Sequence, residues 1–257
     1  MVMFYFSGTG NSKFIAQKFS EEMSCESFSI EENQPFRQMI KKHKTIGFCY
    51  PIYGSRVPRL MRQFVKRFQG ELKGKKLIVF CTQLMFSGDG ARAFLDLLPK
   101  EHCKVIYAEH FNMPNNISDI FIFPITSDEH NAKQANRALK KLKKVCSNIR
   151  IGKRRLRGFH VLSRCLGMTQ ALHWPKIERS MADKIRIDES CTKCGLCVKI
   201  CPVKNLRMEE HGVETNEKCM CCYRCINQCP QKAIYGLIGG KVEKQYKGIE
   251  KLMNGAQ

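Results

Sequence analysis

The sequence predicts an α/β domain built on a doubly wound, parallel sheet of five strands, followed by a small α+β domain. Two observations support this prediction. Over residues 1–148, short apolar runs alternate with longer stretches of helical periodicity, which is typical of a parallel sheet covered by helices. Over residues 185–236, a cysteine-rich motif occurs twice at an offset of 28 residues, which indicates a small domain made of two similar halves.

Five apolar runs in the first 148 residues are candidate strands. They are short and rich in Phe, Ile and Val, as expected of strands buried on both faces. The runs are Met1–Ser7, the weaker Ser24–Ile30, Thr45–Tyr50, Lys76–Thr82 and Cys103–His110. The candidate helices between them are Asn11–Met23, Pro58–Gln69, Ala91–Leu98 and Ser127–Asn148. A sheet of this kind binds its ligand beyond the carboxyl ends of the strands.

Composition limits the classes of function. The chain has 257 residues and a mean hydropathy of −0.33, and it contains no apolar run of membrane-spanning length. Its apolar N-terminus lacks a basic start and ends at Ser7-Gly8, so we interpret it as a strand rather than a secretory signal and expect a cytoplasmic protein. The net charge of +21 favours an acidic protein partner, with peripheral contact to an anionic membrane as an alternative. Nucleic-acid binding is the weakest of the three, because no binding motif accompanies the charge.

We divide the chain into an α/β domain (1–148), a basic helical linker (149–183), a cysteine-rich domain (184–238) and a basic C-terminal tail (239–257). The linker holds the basic run Lys153–Arg157 and the single tryptophan, Trp174. We interpret the basic run as a solvated helix face, with contact to an acidic partner as the alternative. The last residues form either a helix packed on one of the domains or a tail.

Cysteine usage points to metal rather than disulfides. Nine of the 15 cysteines lie between Cys191 and Cys229, and such a dense block in a reducing compartment is more often a metal site. The other six are interpreted as small buried side chains. These six are Cys25, Cys49, Cys81, Cys103, Cys146 and Cys165.

The spacing C-x₂-C-x₂-C-x₃-C-P, which begins at Cys191 and again at Cys219, is the strongest motif in the chain. It is the bacterial pattern for two [4Fe–4S] clusters, in which the fourth cysteine of each run binds the other cluster. One cluster is therefore predicted on Cys191, Cys194, Cys197 and Cys229, and the other on Cys219, Cys222, Cys225 and Cys201. Cys221 falls outside the spacing and is left out. Zinc and a purely structural cluster are weaker alternatives.

A hydroxyl- and glycine-rich turn, Ser7–Ser12, follows the first strand and leads into a helix. Its glycines permit close approach to an anion, and the helix start supplies unpaired amides and a positive dipole end. The turn lacks the Lys of a nucleoside-triphosphate loop, which favours a monophosphate group. A plain strand-to-helix connection is the alternative.

The pattern Ser7-x-Thr9-Gly10-x-Ser12 resembles the phosphate fingerprint of flavodoxins, and the resemblance covers about the first 150 residues. It implies a flavodoxin-like fold with FMN as cofactor. The residues implied at the phosphate are Ser7, Gly8, Thr9, Gly10, Asn11 and Ser12. Those implied on the two sides of the flavin ring are Pro51, Ile52, Tyr53 and Gly54, and Thr82, Gln83, Phe86, Ser87, Gly88, Asp89 and Gly90. Tyr53 is the stacking candidate, with a packed loop aromatic as its alternative, and Asp89 is interpreted as a turn residue.

Taken whole, the chain is similar to the flavodoxin–ferredoxin fusion proteins of anaerobic microbes, and this resemblance implies an electron-transfer protein. The relay would run between FMN, two [4Fe–4S] clusters and an acidic redox protein. A flavin-dependent oxidoreductase acting on a small molecule or quinone is the alternative, and a nucleic-acid-binding protein with structural clusters is the least favoured. The loop His110–Asn116 lies near the same sheet edge, but the sequence assigns no role to its residues.

Overall fold

The computed structural model describes residues 1–86, 88–99, 103–120 and 122–254. The chain forms two compact units. The first unit consists of Met1–Met113 and Lys133–Leu172, and the second of Pro114–Ala132 together with the chain from His173 onward. The second unit therefore includes a segment that precedes the predicted cysteine-rich domain by about 50 residues.

The first unit contains a parallel sheet of six strands in the order β2-β1-β3-β4-β5-β6. The strands are β1 (Val2–Tyr5), β2 (Glu26–Ser29), β3 (Thr45–Pro51), β4 (Lys76–Gln83), β5 (Lys104–Asn112) and β6 (Arg155–Leu156). All five predicted strands are present. The sixth is a correction, because its two residues come from the basic run that was interpreted as a helix face.

The helices of this unit are α1 (Asn11–Met23), α2 (Phe36–Lys42), α3 (Arg59–Arg67), a short 3₁₀ helix (Arg92–Leu97) and α4 (Asp128–Arg150). Helix α1 has its predicted bounds, and α2 was missed. Its seven residues carry only two buried side chains, Phe36 and Ile40, which is too little periodicity for detection from sequence.

Apolar side chains of the central strands form the core of the first unit. β1 is buried along its whole length, and β4 is buried except at Lys76. Phe4 on β1 packs against Phe64 of α3 with ring centroids 5.6 Å apart, and Phe64 packs against Phe36 of α2 at 4.9 Å. Gly47 on β3 has no space for a side chain, because a Cβ there would lie 2.5 Å from Met3 Cε.

The second unit is built from short elements around two cysteine motifs. They are α5 (Val161–Ser180, which begins in the first unit), β7 (Arg186–Ile187), α6 (Leu196–Ile200), β8 (Leu206–Glu209), β9 (Gly212–Thr215), α7 (Arg224–Gln228), β10 (Ile234–Tyr235) and α8 (Ile249–Asn254). β7 pairs with β10, and β8 with β9, both antiparallel. The fold class predicted for this part, a small α+β domain, is confirmed.

Two segments of the chain differ from their sequence-based interpretation. The stretch 149–183 supplies β6 and the 20-residue helix α5, and so contributes to both units. The predicted tail is part of the second unit: Gln245 Nε2 donates to the carbonyl oxygens of Ile226 and Cys229, both at 2.7 Å. The domain boundaries at 148, 183 and 238 stay predictions, since the compact units divide the chain at other positions.

Candidate functional site

Three loops of the first unit leave the carboxyl ends of the adjacent strands β1, β3 and β4, so they meet at one edge of the sheet. The first is Ser7–Ser12. Gly10 has φ +103°, which a side chain would strain, and its amide donates to Ser7 Oγ at 3.1 Å. The chain then enters α1, whose first intrahelical hydrogen bond runs from the Phe14 amide to the Gly10 carbonyl at 2.9 Å. The hydrogen bond from the Gly10 amide to Ser7 Oγ therefore closes the turn, and the turn leads directly into the amino end of α1.

The second loop follows β3 and contains Pro51–Gly54. Gly54 and Ser55 both have positive φ, +53° and +59°, and Tyr53 and Arg56 pair across them as an antiparallel bridge. Two successive left-handed residues define a tight reversal. Tyr53 is half-buried at the start of this reversal. A link to β4 comes from the Ile52 amide, which donates to the Thr82 carbonyl at 3.0 Å.

The third loop follows β4 and contains the predicted residues from Thr82 to Gly90, of which Ser87 lies outside the described residues. Thr82 Oγ1 is 2.7 Å from Ser12 Oγ, a buried contact that joins this loop to the Ser7–Ser12 turn. Gln83 Nε2 donates to the Met85 carbonyl at 3.0 Å and to Asn112 Oδ1 at 2.9 Å. Phe86 is 59% exposed, so its ring is accessible from solvent. Hydrogen bonds of Thr82 and Gln83 therefore hold the start of this loop in place, while the side chain of Phe86 projects into solvent.

Asp89 departs from the predicted turn role. Its side chain is 1% exposed, and burial raises the pKa of its carboxyl, an effect that Arg56 and Arg92 partly oppose. Arg92 Nη1 lies 3.7 Å from Asp89 Oδ2. Asp89 Oδ1 makes no hydrogen bond within the described residues, which is unusual for a buried carboxylate oxygen.

His110 on β5 is a residue that sequence reasoning did not assign. Its ring is buried, and Nε2 accepts a hydrogen bond at 3.2 Å from the amide of Ala91, at the end of the third loop. Burial lowers the pKa of His110 to about 4, with a further lowering by Arg157, so the ring is neutral at pH 7 and can accept. His110 thus holds the third loop against β5. No motif surrounds it, so the sequence could not have indicated this role.

Beside it, Glu109 is completely buried and binds three cations: Lys141 Nζ at 2.9 Å, Arg155 Nε at 3.2 Å and Arg157 Nε at 3.6 Å. Two members of the basic run 153–157, Arg155 and Arg157, are therefore paired with a buried carboxylate, although their own side chains are 48% and 42% exposed. The interpretation of that run as a helix face is wrong, because Arg155 and Leu156 form strand β6, whereas Lys153 and Arg154 are exposed as expected.

In the second unit, the predicted cluster ligands surround two cavities, each with about 330 Å³ free of protein atoms. The cysteines lining the first cavity are Cys191, Cys194, Cys197 and Cys229. Those lining the second are Cys201, Cys219, Cys222 and Cys225. Each cavity takes three cysteines from one motif and the fourth from the other, the grouping that the spacing predicts.

The two motifs share their backbone conformation as well as their spacing. Lys193 and Gly195 have φ +54° and +74°, and the equivalent residues Cys221 and Tyr223 have +59° and +60°. These left-handed residues alternate with the cysteines and turn the loop so that three thiols face one side. Cys221 therefore stands where the first motif has Lys193. Its Sγ lies 3.4 Å from Met181 Sδ, and Cys221 is not among the residues lining the second cavity.

Three buried thiols among these ligands, Cys197, Cys222 and Cys225, have raised pKa values and so resist ionisation without metal. Burial raises the pKa of Cys222 to about 12 and raises that of Cys197 as well. A coordinated iron ion keeps a thiol deprotonated, so thiols in apolar cavities fit a bound cluster better than a free thiolate role. Backbone amides also reach the sulfur atoms: the Asn205 amide donates to Cys201 Sγ at 3.1 Å, and the Cys221 amide to Cys219 Sγ at 3.4 Å. The donor set of both cavities fits an iron–sulfur cluster.

The scattered cysteines are only partly as predicted. Cys49, Cys81 and Cys146 are buried, but Cys165 is exposed on α5, which is wrong for a small core side chain. Cys25 and Cys103 are half-buried.

Two family models match the chain. Residues 2–114 match the flavodoxin domain, and residues 185–207 match the 4Fe-4S binding domain. The chain has a flavodoxin–ferredoxin fusion architecture. The flavodoxin match supports FMN as the ligand of the first unit, and the 4Fe-4S match supports at least one cluster in the second. We name these the flavodoxin unit and the ferredoxin unit.

Among solved structures, Megasphaera elsdenii flavodoxin in its two-electron reduced form is 22% identical, with 55% of this chain and 99% of that chain covered and a TM-score of 0.39. Fusobacterium nucleatum flavodoxin bound to flavin mononucleotide is 16% identical, with 58% and 96% covered and a TM-score of 0.41. Oxidised flavodoxin 1 from Bacillus cereus is 14% identical, with 58% and 96% covered and a TM-score of 0.40. No curated protein matches the chain. None of the described helices is long and apolar enough to cross a membrane.

Proposed function

We propose that this flavodoxin–ferredoxin fusion is an electron-transfer protein that passes electrons between one FMN, two [4Fe–4S] clusters and a redox partner. The observation that carries the proposal is the pair of cavities in the ferredoxin unit. Each is lined by four cysteines, and each set combines three cysteines of one motif with one of the other. Two clusters held in one small repeat are better suited to relay than to structural support.

In the flavodoxin unit, the residues proposed to hold FMN lie on the three loops at the carboxyl edge of the sheet. The hydroxyls of Ser7 and Thr9 and the amides at the start of α1 would bind the phosphate. The second and third loops would flank the ring, with Tyr53 and Phe86 as the aromatic candidates. His110 and Gln83 would keep the third loop in position through the hydrogen bonds described above.

FMN accepts one or two electrons, whereas a [4Fe–4S] cluster accepts one. Together they can therefore pass on the two electrons of a reduced flavin one at a time. The protein supplies position, burial and hydrogen bonds. In the ferredoxin unit, the amides of Asn205 and Cys221 point at two cysteine sulfurs, and hydrogen bonds of this kind stabilise the negative charge that a cluster carries. The proposed partner is an acidic redox protein, because the chain carries a net charge of +21.

The test is anaerobic purification followed by iron, sulfide and flavin analysis. We expect about eight iron atoms and one FMN per chain. Iron near four per chain would refute the second cluster, and absence of flavin after reconstitution with FMN would refute the relay. Electron transfer to an acidic partner should slow as salt concentration rises, and rates independent of salt would remove the docking part of the proposal.

Replacing both phosphate-loop hydroxyls tests the FMN site directly. The double variant Ser7→Ala/Thr9→Ala removes two donors to a charged phosphate, and Ser7→Ala also removes the acceptor of the Gly10 amide. Hydrogen bonds to charged groups contribute about 1.5–3 kcal/mol each, so loss of both should raise the dissociation constant of FMN at least about a hundredfold. Thr45→Ala, at the amino end of β3, is the matched control and should leave the affinity unchanged. Equal affinities in both variants would exclude Ser7–Ser12 as the phosphate site.

A further inference from the structure

One face of α5 carries large aliphatic side chains in solvent. Val161 is 80% exposed, and Leu162 and Leu172 are both 73% exposed. Met168 and Leu166 add to the same face at 49% and 41%. On a helix, these five positions fall within one broad stripe, since residues three, four, seven and eleven apart share a side. Aliphatic exposure of this extent on one helix marks an interaction surface.

The opposite side of α5 is fixed to the flavodoxin unit. Gly167 lies against the third loop so closely that a Cβ there would be 1.8 Å from Asp89 Oδ1. A Cβ on Gly88 would lie 2.8 Å from the Gly167 amide nitrogen, and Arg56 NH2 donates to the Gly167 carbonyl at 3.4 Å. Ser55 Oγ donates to Gln170 Oε1. The aliphatic stripe is therefore a fixed ridge on a rigid support, next to the loops proposed to flank the flavin.

Along the sequence, the charges of α5 up to Ile177 and of the segment before it have one sign. Residues 151–177 contain six Lys or Arg and no Asp or Glu. Lys153, Arg154 and Arg164 are exposed in this stretch, and the first acidic residue after it is Glu178. Cationic residues beside an aliphatic ridge are complementary to the surface of a bilayer that contains acidic phospholipids. Such a bilayer is anionic at its surface and apolar a few ångströms below it.

We propose that α5 is the docking element by which this protein binds the surface of an anionic membrane. Val161, Leu162 and Leu172 would enter the boundary between headgroups and acyl chains, while Lys153 and Arg154 would contact lipid phosphates. A bilayer suits this face better than an acidic protein, because protein interfaces draw their binding energy from Trp, Tyr and Arg rather than from Leu and Val. Since α5 packs on the second and third loops, docking would bring the proposed flavin site to within about one helix diameter, roughly 10 Å, of the membrane surface.

Vesicle binding tests this proposal without any redox measurement, so its outcome is independent of the proposed electron transfer. The full-length protein is sedimented with vesicles of phosphatidylcholine alone and with vesicles containing phosphatidylglycerol. We expect binding to the anionic vesicles that weakens as salt rises, and little binding to the neutral ones. The double variant Leu162→Gln/Leu172→Gln should lower the partition coefficient at least about tenfold.

Two further variants make the test specific. Ile122→Gln changes another exposed aliphatic residue, 79% exposed and in the ferredoxin unit, and should bind vesicles like the original protein. Lys153→Gln/Arg154→Gln should weaken binding to anionic vesicles several-fold. All substituted side chains are exposed, so thermal unfolding serves as the folding control. No binding to anionic vesicles, or equal binding by the Leu162→Gln/Leu172→Gln variant, would overturn the proposal. So would a dimer of the original protein that this variant abolishes, because the ridge would then be an interface between two copies of the chain.

Discussion

The two units of this chain acquire their order from different sources. The flavodoxin unit has strands of up to nine residues and an aromatic core, in which Phe4, Phe48 and Phe80 are completely buried. The ferredoxin unit has strands of two to four residues and, apart from α5, helices of five or six. Five of the twelve buried residues in its apolar cluster are Cys or Met. A core of this size contributes little stability by itself, so small domains of this kind depend on metal or on added chain segments.

This contrast shows that the ferredoxin unit is completed by a segment from an earlier part of the chain. Each of its two cavities is lined by four thiols, and the unit includes Pro114–Ala132, which lies far away in sequence. The flavodoxin unit needs neither to bury its core. Substitutions at the cavity thiols and in Pro114–Ala132 can therefore test each of these contributions separately.

Loss of a cluster ligand should produce the largest effect. Cys222→Ala removes a ligand proposed for the second cavity and should reduce iron from about eight to about four atoms per chain, with partial unfolding of the ferredoxin unit. Trp174, the only tryptophan, lies in that unit, so its fluorescence reports the unfolding. The flavodoxin unit should retain FMN and its cooperative unfolding transition.

Cys221→Ala is the matched control, since Cys221 is adjacent in sequence and buried but does not line the cavity. It should keep full iron content. The crossed grouping has its own test: Cys201→Ala should give the same iron content and electron paramagnetic resonance spectrum as Cys222→Ala, although Cys201 belongs to the first motif. A spectrum of Cys201→Ala that instead matched Cys194→Ala would exclude the crossing.

The contrast also explains which features the sequence could predict. The strands of the flavodoxin unit are nearly uniform apolar runs, so their positions could be predicted. The cysteine spacing repeats a known cluster pattern, so the grouping of the cysteines around the two cavities could be predicted as well. The ion pairs of the buried Glu109 with Arg155 and Arg157 could not, because a basic run has the same sequence pattern whether or not its members are paired. Nor could Asp119 be placed in the ferredoxin unit, since no local pattern records a contact 104 residues away.

Acid should destabilise the flavodoxin unit through His110. The pKa of its ring is lowered by burial from 6.5 to about 4, with Arg157 and Lys141 lowering it further and Glu109 opposing them. Between these two values the unfolded chain binds a proton that the folded unit does not, so the free energy of unfolding falls as pH drops from about 6.5 to about 4. The expected loss is on the order of 2–3 kcal/mol.

His110→Gln isolates this contribution, because glutamine can accept from the Ala91 amide but does not titrate. Urea unfolding of the original protein and of His110→Gln, each at pH 7 and at pH 4.5, gives the free energy of unfolding that each protein loses between the two pH values. Asp89 and other carboxyls titrate in both proteins and cancel in the comparison. If the two proteins lose equal free energy of unfolding between these pH values, His110 is not the source.

The smallest effect is expected where the segment Pro114–Ala132 joins the ferredoxin unit. Asp119, 4% exposed, accepts hydrogen bonds from Tyr223 Oη at 2.8 Å and from the amides of Ile238 and Gly239 at 3.0 and 3.4 Å. Tyr223 lies between Cys222 and Arg224 and lines the second cavity. Asp119→Asn keeps the size but replaces one acceptor oxygen with a donor, so at least one of the three donors loses its partner. The ferredoxin unit should lose about 1–3 kcal/mol of unfolding free energy, measured through the absorbance of the bound cluster in urea.

Asp128→Asn makes the same change on an exposed carboxylate of the segment, paired with Lys247 at 2.7 Å, and should cost less than about 1 kcal/mol. The two variants remove the same formal charge, so a difference between them measures burial and hydrogen bonding rather than charge. If both cost equally little, Pro114–Ala132 only lies against the ferredoxin unit, and the unit's stability must come from the clusters and its own short elements. If Asp119→Asn alone is costly, the segment is a structural part of the ferredoxin unit, and residues 184–257 expressed without it should unfold at lower urea concentration than the intact chain.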